Sequence, residues 1–468
     1  MCRNVGSRAV GCQVLASLLL LTGIALNPWL LAWVFKPLSG GRLSPAAACF
    51  VLFFDIVCIA LGLGLLRSKS PAQRRRAIYA LVMVTAMVIF VEGCLQVAFL
   101  VVESIRPQES SIPARVAWAY SGKDWAEDLW TEYRRLRPEY DPVTGWAYKN
   151  FHGRYITIDE RGARQTCQPE GPASDRDCQI FIFGGSAVFG WGNRNEQTIS
   201  SWLSMVLNER GIGAFRVTNF GQPGYTLAQE LFRLVCLLRE GARPDIVVFM
   251  DGYNDCIHHY SLGSVGELPN VAQIRDRLAR GDPSPAEHLV LGMQGIVQEH
   301  CRTYQLINRL SRQGDKSGDS KSRAVGDGFT EAELASFVQQ VGEDYCRLVE
   351  LAVRLGEIYQ FECLCLWQPM LVLDKTPTAD EISHSGDSPA AQMNRPRFNG
   401  FCKDVHACVV ERSPDGFFDL GSALEGRTES LFVDLCHLTD EGNRRTAERI
   451  ADVLQQTGSL SVSRRAVP

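Results

Sequence analysis

The sequence has few of the features that would indicate a nucleic-acid-binding or metal-binding protein. Its 468 residues have a formal net charge of −4 at pH 7, whereas nucleic-acid binding favours a basic surface. Only eight histidines occur, and no set of cysteines and histidines has the spacing of a zinc site. No internal repeat of solenoid or propeller length is present. We therefore expect no nucleic acid, metal ion or other cofactor as a partner.

Cysteine, by contrast, is abundant, with sixteen residues. Most of them follow the apolar N-terminal region, and their number there is odd, so at least one is unpaired within that part of the chain. In an exported domain the close pairs Cys167/Cys178 and Cys402/Cys408 are candidates for disulfides. The stretch 363–365, Cys-Leu-Cys, indicates a buried strand, where free cysteine behaves as a small apolar residue.

Three long apolar runs, at residues 10–35, 46–66 and 77–102, come first in the chain. Each exceeds the ~20 residues that a helix needs to cross the hydrocarbon core of a bilayer. Basic residues before the first run would suit a signal peptide, but the run is too long and no clear small-residue cleavage site follows. We expect residues 1–102 to form a membrane anchor of three transmembrane helices.

Basic residues predict the orientation of this anchor. The connection at 67–76, after the second run, is rich in arginine and should be cytoplasmic. The N-terminus is then cytoplasmic as well, and everything after the third run lies on the extracytoplasmic side of the cell membrane. Asp55 and Glu92 fall inside the second and third runs. They share a proton or face a polar interior, or they pack between helices with one or both protonated.

The remainder is predicted to comprise a linker, a domain and a tail, at 103–139, 140–458 and 459–468. The domain contains an insert at about 257–330. Its polar part, residues 313–328, is predicted to be disordered, and the rest to be helical and to cover the substrate cleft. Residues 371–400 are a second candidate lid.

Several aromatic and histidine residues allow two interpretations. Trp118, Trp125 and Trp130 of the linker lie near the membrane interface, or they pack on the domain. His258 and His259 contact substrate, or they are exposed loop residues, which we favour.

Three segments near predicted strand ends carry groups suited to nucleophilic catalysis. Ser186 follows the apolar strand 179–183 and two glycines that permit a sharp turn. Gly224 lies in a glycine-rich turn and can present a backbone N–H to a developing oxyanion. Asn254 follows another buried strand, and its side-chain amide is a further donor. Each segment alone also suits an ordinary strand–helix turn.

A fourth segment contains Asp434 and His437, three residues apart in a turn before the last predicted helix. A histidine can take the proton of a serine nucleophile, and a carboxylate can orient the imidazole. We therefore expect Ser186, His437 and Asp434 to form a catalytic triad. The oxyanion hole then consists of the N–H groups of Ser186 and Gly224 and the side chain of Asn254.

Together the four segments resemble the SGNH hydrolases, also called GDSL esterases, a superfamily named for Ser, Gly, Asn and His in separate segments. The matching residues, in the expected order, are Ser186, Gly224, Asn254 and His437. Asp434 completes the Asp-x-x-His pair of that family, and residues 252–255 match its Gly-x-Asn-Asp stretch.

The first segment has Gly-Gly-Ser where Gly-Asp-Ser is commoner. In this it resembles a bacterial branch of the superfamily with an N-terminal membrane anchor. The segments at 156–164 and 367–381 are similar to that branch too. The resemblance covers roughly residues 140–457.

Strands predicted near residues 179, 216, 246 and 361 alternate with helices, which predicts a three-layer α/β/α sandwich with a mainly parallel sheet. The resemblance implies the same fold. It also implies a serine esterase that removes acetyl or similar acyl groups from an extracytoplasmic glycan or lipid through an acyl-enzyme. Two alternatives stay open, an O-acyltransferase with the same triad and a non-catalytic envelope assembly or binding protein.

Overall fold

The structure is a computed structural model. It describes residues 70–105, 110–169, 177–211, 213–268, 300–306, 324–384 and 396–461, with residue 174 and scattered residues between 17 and 67. The chain divides into two compact units. The first is Met1–Glu109 with Ala272–Lys321, and the second is Ser110–Val271 with Ser322–Pro468.

The first unit contains the apolar helix α1 (Pro71–Ile105). Within the described part of the chain, this is the one helix whose length and composition would allow it to cross a membrane, over Pro71–Val101. It contains the whole of the third predicted span. Asp55 lies outside the described residues, and of the first and second spans only scattered helical residues are described. Three spans are therefore not shown, and the multi-pass anchor stays a prediction.

Glu92 of α1 is hydrogen-bonded to residues of the predicted insert that belong to the same unit. Its carboxylate accepts the N–H groups of Arg302, at 2.7 Å, and Thr303, at 3.0 Å, and the Thr303 hydroxyl at 2.6 Å. One helical turn further, Gln96 donates to the His300 carbonyl at 2.8 Å. The Arg302 guanidinium lies 5.1 Å from the ring centroid of Phe99. This arrangement agrees with the polar-surroundings alternative for Glu92.

The second unit is an α/β domain. Its helices are α2 (Ala126–Arg135), α3 (Ser186–Phe189), α4 (Ile199–Glu209), α5 (Leu227–Arg239), α6 (Tyr253–Leu262), α7 (Glu331–Tyr359), α8 (Ala379–His384), α9 (Pro396–Arg412) and α10 (Asp440–Gln456). Its strands are β1 (Glu139–Asp141), β2 (Gly145–Ala147), β3 (Phe151–His152), β4 (Thr157–Ile158), β5 (Cys178–Gly184), β6 (Phe215–Asn219), β7 (Ile246–Asp251), β8 (Glu362–Trp367) and β9 (Phe417–Asp419). Short 3-10 helices lie at Ala114–Tyr120, Asn195–Gln197, Val325–Gly328 and Ser459–Ser461.

Five strands form one sheet in the order β6-β5-β7-β8-β9, and every pairing along it is parallel. Side chains of successive strand residues point to opposite faces. Phe181 and Phe183 accordingly belong to a core with α5, α7 and α9, while Ile180 and Ile182 belong to a core with α4 and α10. Helices thus cover both faces, and the predicted α/β/α sandwich with a parallel sheet is confirmed.

The stretch predicted as a linker is largely part of this domain. A third core contains Val116, Leu129 and Trp130 together with Ile156 and Phe189. Trp125 packs against the same cluster. The structure therefore favours packing on the domain over a membrane-interface position for these two tryptophans. Trp118 lies in the 3-10 helix Ala114–Tyr120 and is half-buried.

The disulfide prediction is wrong for both pairs, because Cys167, Cys178, Cys402 and Cys408 are all free thiols in the structure. Cys402 and Cys408 lie on the same helix, α9, where six residues correspond to a rise of ~9 Å. A disulfide requires Cα atoms within ~7 Å, so the helix keeps them apart. The buried-strand prediction for residues 363–365 is confirmed in β8.

The candidate lid at 371–400 is wrong for its first part. Leu371, Asp374, Lys375 and Glu381 are buried, and residues 385–395 lie outside the described part of the chain. The prediction that the whole stretch 313–328 is disordered is wrong at its end, where Val325–Gly328 form a 3-10 helix with two buried residues. Whether the rest of the insert covers the cleft stays a prediction.

Candidate active site

The turn after β5 positions Ser186 at the first residue of α3. Neither preceding glycine has space for a side chain. A Cβ atom on Gly184 would lie 2.2 Å from Val188 Cγ2, and one on Gly185 would lie 2.2 Å from Asn254 Nδ2. As the first helical residue, Ser186 has no intrahelical acceptor for its N–H, which leaves this group available to a bound ligand.

The structure brings Ser186, His437 and Asp434 together, as the sequence predicts. Ser186 Oγ lies 2.7 Å from His437 Nε2. On the other side of the ring, His437 Nδ1 lies 2.8 and 2.9 Å from the two carboxylate oxygens of Asp434. This is the tautomer in which Nδ1 carries the proton and Nε2 is free to accept one.

The acid and the base share one closed turn. The main-chain N–H groups of His437, at 2.9 Å, and Cys436, at 3.1 Å, donate to Asp434 Oδ1. Burial raises the pKa of Asp434, but the charge of His437 and these donors outweigh it and lower the pKa to about 2. The carboxylate is therefore charged at neutral pH and holds the imidazole in its orientation.

Trp191 packs against the imidazole ring of His437. Its ring centroid lies 4.5 Å from that of His437 at an interplanar angle of 32°. Trp191 is held in turn by Trp130 of α2, edge to face at 4.8 Å. The face of the imidazole is thus fixed by an aromatic stack, which the sequence analysis did not predict.

Gly224 lies in the loop after β6, and Asn254 lies in the first turn of α6, both near the turn that carries Ser186. Gly224 has a positive φ of +84°, a conformation that glycine adopts readily. Asn254 Nδ2 donates to the Tyr225 carbonyl at 2.7 Å, which fixes one amide hydrogen and leaves the second available. The structure therefore brings Gly185, Tyr225 and Asn254 to one point at the carboxyl ends of β5 and β7.

His258 supports this loop pair. Its Nε2 lies 3.0 Å from the Gly224 carbonyl, which requires the proton on Nε2. Burial lowers the pKa of His258, partly opposed by this hydrogen bond. Both His258 and His259 lie on α6 and are at least half-buried, so the exposed-loop interpretation is wrong. His258 thus contacts the Gly224 carbonyl, and His259 Nδ1 lies 2.6 Å from the Asp255 carbonyl.

Arg164 is a buried cation whose side chain is hydrogen-bonded to the backbone at the end of α3 and just after it. It is 1% exposed. Its guanidinium donates to the carbonyls of Phe189 at 2.7 Å, Gly190 at 2.9 Å and Asn193 at 2.6 Å. The planar fork of an arginine suits several acceptors at once. Arg164 thereby fixes the loop that carries Trp191.

Three buried carboxyl groups lie behind the Asn254 loop, on α5, β7 and α6. Burial and the neighbouring carboxyls raise the pKa of Glu230 and of Asp251, and burial raises the pKa of Asp255 although the charge of His259 and backbone N–H donors oppose it. Asp255 accepts the N–H groups of Leu227 and Gly252. No described residue donates a hydrogen bond to the side-chain oxygens of Glu230 or Asp251. If one of the two carboxyl groups is protonated, its O–H donates to the other, and the pair satisfies itself.

One group among the described residues, Asp434, Cys436 and His437, has donor atoms close enough to hold a metal ion. Two of these donors are already used, because the Asp434 carboxylate and His437 Nδ1 are hydrogen-bonded to each other. The group is thus better explained as the acid and base of the triad with the cysteine between them.

Sequence analysis did not predict the roles of two residues that support the site, Arg164 and Trp191. Arg164 contacts the carbonyls that follow α3 and Trp191 contacts the ring of His437, so each has partners distant in the chain that no local pattern indicates. The one available signal was that Arg164 lies in the segment 156–164, which resembles the membrane-anchored branch, and that resemblance assigned it no contact.

Comparisons with known proteins identify the family. The GDSL-like Lipase/Acylhydrolase family matches residues 182–445, more than half of the chain, including all five predicted site residues. The chain therefore belongs to this family, and it is an acylhydrolase of the esterase type. A search of curated proteins finds no match.

Solved structures with some likeness to the chain include two esterases and a lipase/acylhydrolase. An acetyl xylan esterase, AlAXEase, is 13% identical, with 59% of this chain and 99% of the other covered and a TM-score of 0.31. The lipase/acylhydrolase from Enterococcus faecalis is 14% identical over 60% and 96%, with a TM-score of 0.30. The psychrotrophic esterase EstA from Pseudoalteromonas sp. is 13% identical over 60% and 100%, with a TM-score of 0.29. Likeness of this degree carries no argument about the substrate.

Proposed function

We propose that this acylhydrolase is a serine esterase with Ser186 as nucleophile, His437 as general base and Asp434 as the orienting acid. The observation that carries the proposal is the continuous hydrogen-bond chain from Ser186 Oγ to His437 Nε2, at 2.7 Å, and from His437 Nδ1 to Asp434, at 2.8 Å. Nucleophile, base and orienting group within hydrogen-bond reach are the arrangement that acyl transfer requires.

The mechanism follows from these contacts. His437 Nε2 takes the hydroxyl proton while Ser186 Oγ attacks the ester carbonyl. The imidazolium then gives this proton to the leaving alkoxide, which departs as an alcohol and leaves the acyl group on Ser186. Water, deprotonated by the same nitrogen, attacks the acyl-enzyme, and the carboxylic acid leaves as Oγ regains a proton. Asp434 stabilises the imidazolium in both halves.

Three donors are proposed to stabilise the oxyanion of each tetrahedral intermediate. They are the N–H of Ser186, the N–H of Gly224 and the free amide hydrogen of Asn254. Loss of one such donor typically costs ~3–4 kcal/mol in the barrier. The hydrogen bond from Asn254 to the Tyr225 carbonyl supports this role, since it fixes the amide before substrate arrives.

The proposed substrate is an O-acetyl or similar acyl ester on an extracytoplasmic glycan or lipid, and the proposed location is the cell membrane, with several spans and a cytoplasmic N-terminus. Support comes from the three apolar runs, the basic connection at 67–76, and α1, whose apolar window has no residue buried in the structure. A domain after such an anchor works close to the membrane surface.

The test of the chemistry is covalent labelling of the full chain in detergent with a fluorophosphonate probe. We expect mass spectrometry to find the label on Ser186. Ser186→Ala should lose both labelling and release of p-nitrophenol from p-nitrophenyl acetate, whereas Ser336→Ala, at an exposed position of α7, should keep both. A folded wild-type chain that shows neither would contradict the esterase and support the non-catalytic alternative. Products formed with a sugar acceptor separate hydrolysis from acyl transfer.

The test of the location is photolabelling in lipid vesicles with a diazirine-bearing phospholipid. Peptides from α1 should carry the label, and peptides from the parallel sheet should not. Proteolysis of sealed vesicles of known orientation should cut the domain and the 67–76 connection from opposite sides. Unlabelled α1 peptides would contradict the membrane anchor and leave the esterase chemistry untouched.

A further inference from the structure

A fully buried ion pair lies close to the acid–base turn. Lys375 Nζ, in the loop after β8, is 2.8 Å from Glu381 Oε2 on α8, and both side chains are 0% exposed. Removing two charges from water costs several kcal/mol per ion, and good geometry with additional hydrogen bonds is needed to offset it. Such a pair adds little net stability compared with apolar residues of the same size, so its contacts indicate what it does.

The other hydrogen bonds of the two side chains are made to backbone groups. Glu381 Oε1 accepts the N–H groups of Leu431 at 2.9 Å and Phe432 at 3.0 Å. Lys375 Nζ also donates to the Glu429 carbonyl at 2.7 Å. Beside the pair, the Thr378 hydroxyl is bonded to that of Ser430 at 2.7 Å. Four consecutive residues, 429–432, are thus held from this one site.

Residues 429–432 are the base of the turn that carries Asp434 and His437. Thr439 donates its N–H to the Leu431 carbonyl at 2.8 Å, and Val433 donates to the His437 carbonyl at 2.8 Å. Phe432 and Leu438 form an antiparallel bridge. The turn is therefore a closed loop whose two ends meet at the residues that Glu381 holds.

The loop is also contacted from the side. This side contact is made by the segment that contains Lys375 and not by the pair itself: Leu371 donates its N–H to the Leu435 carbonyl at 2.9 Å. A displacement of ~1 Å between reacting groups can cost about 100-fold in rate. The distance from His437 to Ser186 thus depends on where this segment holds the base of the turn.

We propose that the buried Lys375–Glu381 pair is a positioning device that holds the acid–base turn at hydrogen-bond distance from Ser186. Neither residue contacts the reacting atoms. The inference rests on the proposed triad, since it assigns to the pair the alignment of the His437 imidazole. Both members are needed, because Glu381 holds the N–H groups and Lys375 compensates its charge and holds the Glu429 carbonyl.

The experiment uses the full chain in detergent with p-nitrophenyl acetate and the fluorophosphonate probe. The variants are Glu381→Gln, Lys375→Met and the double change to two methionines. In both single variants we expect kcat and the labelling rate to fall at least 30-fold with KM within twofold, because substrate binding does not involve the pair. Asp452→Asn, in the partly exposed Arg210–Asp452 pair, is the matched control and should change neither.

The double variant separates positioning from simple structural support. It removes both buried charges, so the melting temperature should recover toward wild type while kcat stays at least 30-fold low. Recovery of kcat together with the melting temperature would overturn the proposal, as would a folded Glu381→Gln variant of wild-type kcat. Absence of labelling in the wild type would instead contradict the triad itself.

Discussion

Gly185 and Asn254 compete for one space beside the nucleophile. A Cβ atom on Gly185 would lie 2.2 Å from Asn254 Nδ2, the amide proposed as an oxyanion donor. A side chain at position 185, as in the commoner Gly-Asp-Ser motif, would therefore require the Asn254 amide to leave the position it has here.

Restoring the commoner motif should consequently impair the enzyme. In Gly185→Asp the new side chain displaces the Asn254 amide, and we expect kcat on p-nitrophenyl acetate to fall by about 100-fold, the effect of losing one oxyanion donor. In Asn254→Ala, kcat should fall by a similar factor. Because both changes remove the same donor, the double variant should be no slower than the slower single one. A Gly185→Asp variant with full activity would contradict this account.

Asp434 gives a second prediction. Asp434→Asn preserves the shape of the turn but favours the wrong imidazole tautomer, and kcat should fall about 10⁴-fold with KM little changed. Steady-state kinetics of the full chain measure the effect, and circular dichroism checks that the variant is folded. A loss confined to KM would show that the carboxylate acts on binding and not on the imidazole.

Arg164 should be required for both stability and rate. Arg164→Met leaves the Phe189 and Asn193 carbonyls without this donor and removes one of the donors of the Gly190 carbonyl, and we expect a loss of ~3–5 kcal/mol in the free energy of unfolding. The loop with Trp191 loses its support, so kcat should fall as well, by about tenfold or more. Arg347→Met, whose side chain is 72% exposed, is the matched control and should stay within ~0.5 kcal/mol of wild type. Equal melting temperatures for the two variants would contradict the role of Arg164.

The carboxyl pair Glu230 and Asp251 predicts a pH dependence of stability. Burial raises both pKa values, and the charge of Asp251 raises that of Glu230 further while the charge of Asp255 raises that of Asp251, so the folded protein binds a proton that the unfolded chain has lost above pH ~4. Stability therefore falls as pH rises, by about 1.4 kcal/mol per pH unit for one proton, up to the folded pKa. Asp255 and Tyr345 adjoin the pair: the charge of Asp255 raises the pKa of Glu230, and the charge of Asp251 raises the pKa of Tyr345.

Glu230→Gln replaces this proton by a permanent amide donor. The difference in melting temperature between variant and wild type should become more positive from pH 4.5 to pH 8, as measured by thermal unfolding. Gln340→Glu, at an exposed position of α7, offers a control with no buried charge and should show little such trend. A pH-independent difference for Glu230→Gln would mean that the pair holds no proton in the folded state.

How much of this site the sequence predicts depends on how local each contact is. The parallel sheet was predictable because β5 and β7 are continuous apolar runs. Asp434 and His437 were predictable because one short turn supplies both groups. The contacts of Arg164 and of Glu381 join segments 25 to 51 residues apart, and no periodicity indicates such partners.

The wrong predictions have a common physical origin. Residues 371–400 were interpreted as a candidate lid, yet Asp374 and Lys375 within this stretch are buried with hydrogen-bond partners, Asp374 with the Leu424 N–H and Lys375 with Glu381. Spacing likewise suggested Cys402/Cys408 as a disulfide, although the helix that contains them sets their separation. Sequence distance and residue polarity do not determine burial or pairing when distant segments provide the partners.

The nucleophile and its base are 251 residues apart in the chain, and the helix that follows the base packs on the one that follows the nucleophile. During synthesis, which proceeds at roughly 5–20 residues per second, Ser186 therefore emerges well before the segment that activates it. A nascent or truncated chain contains a serine without a general base. Activity thus requires synthesis to pass His437, and a protease cut that released the segment beginning at Asp434 would inactivate the enzyme and leave Ser186 in place.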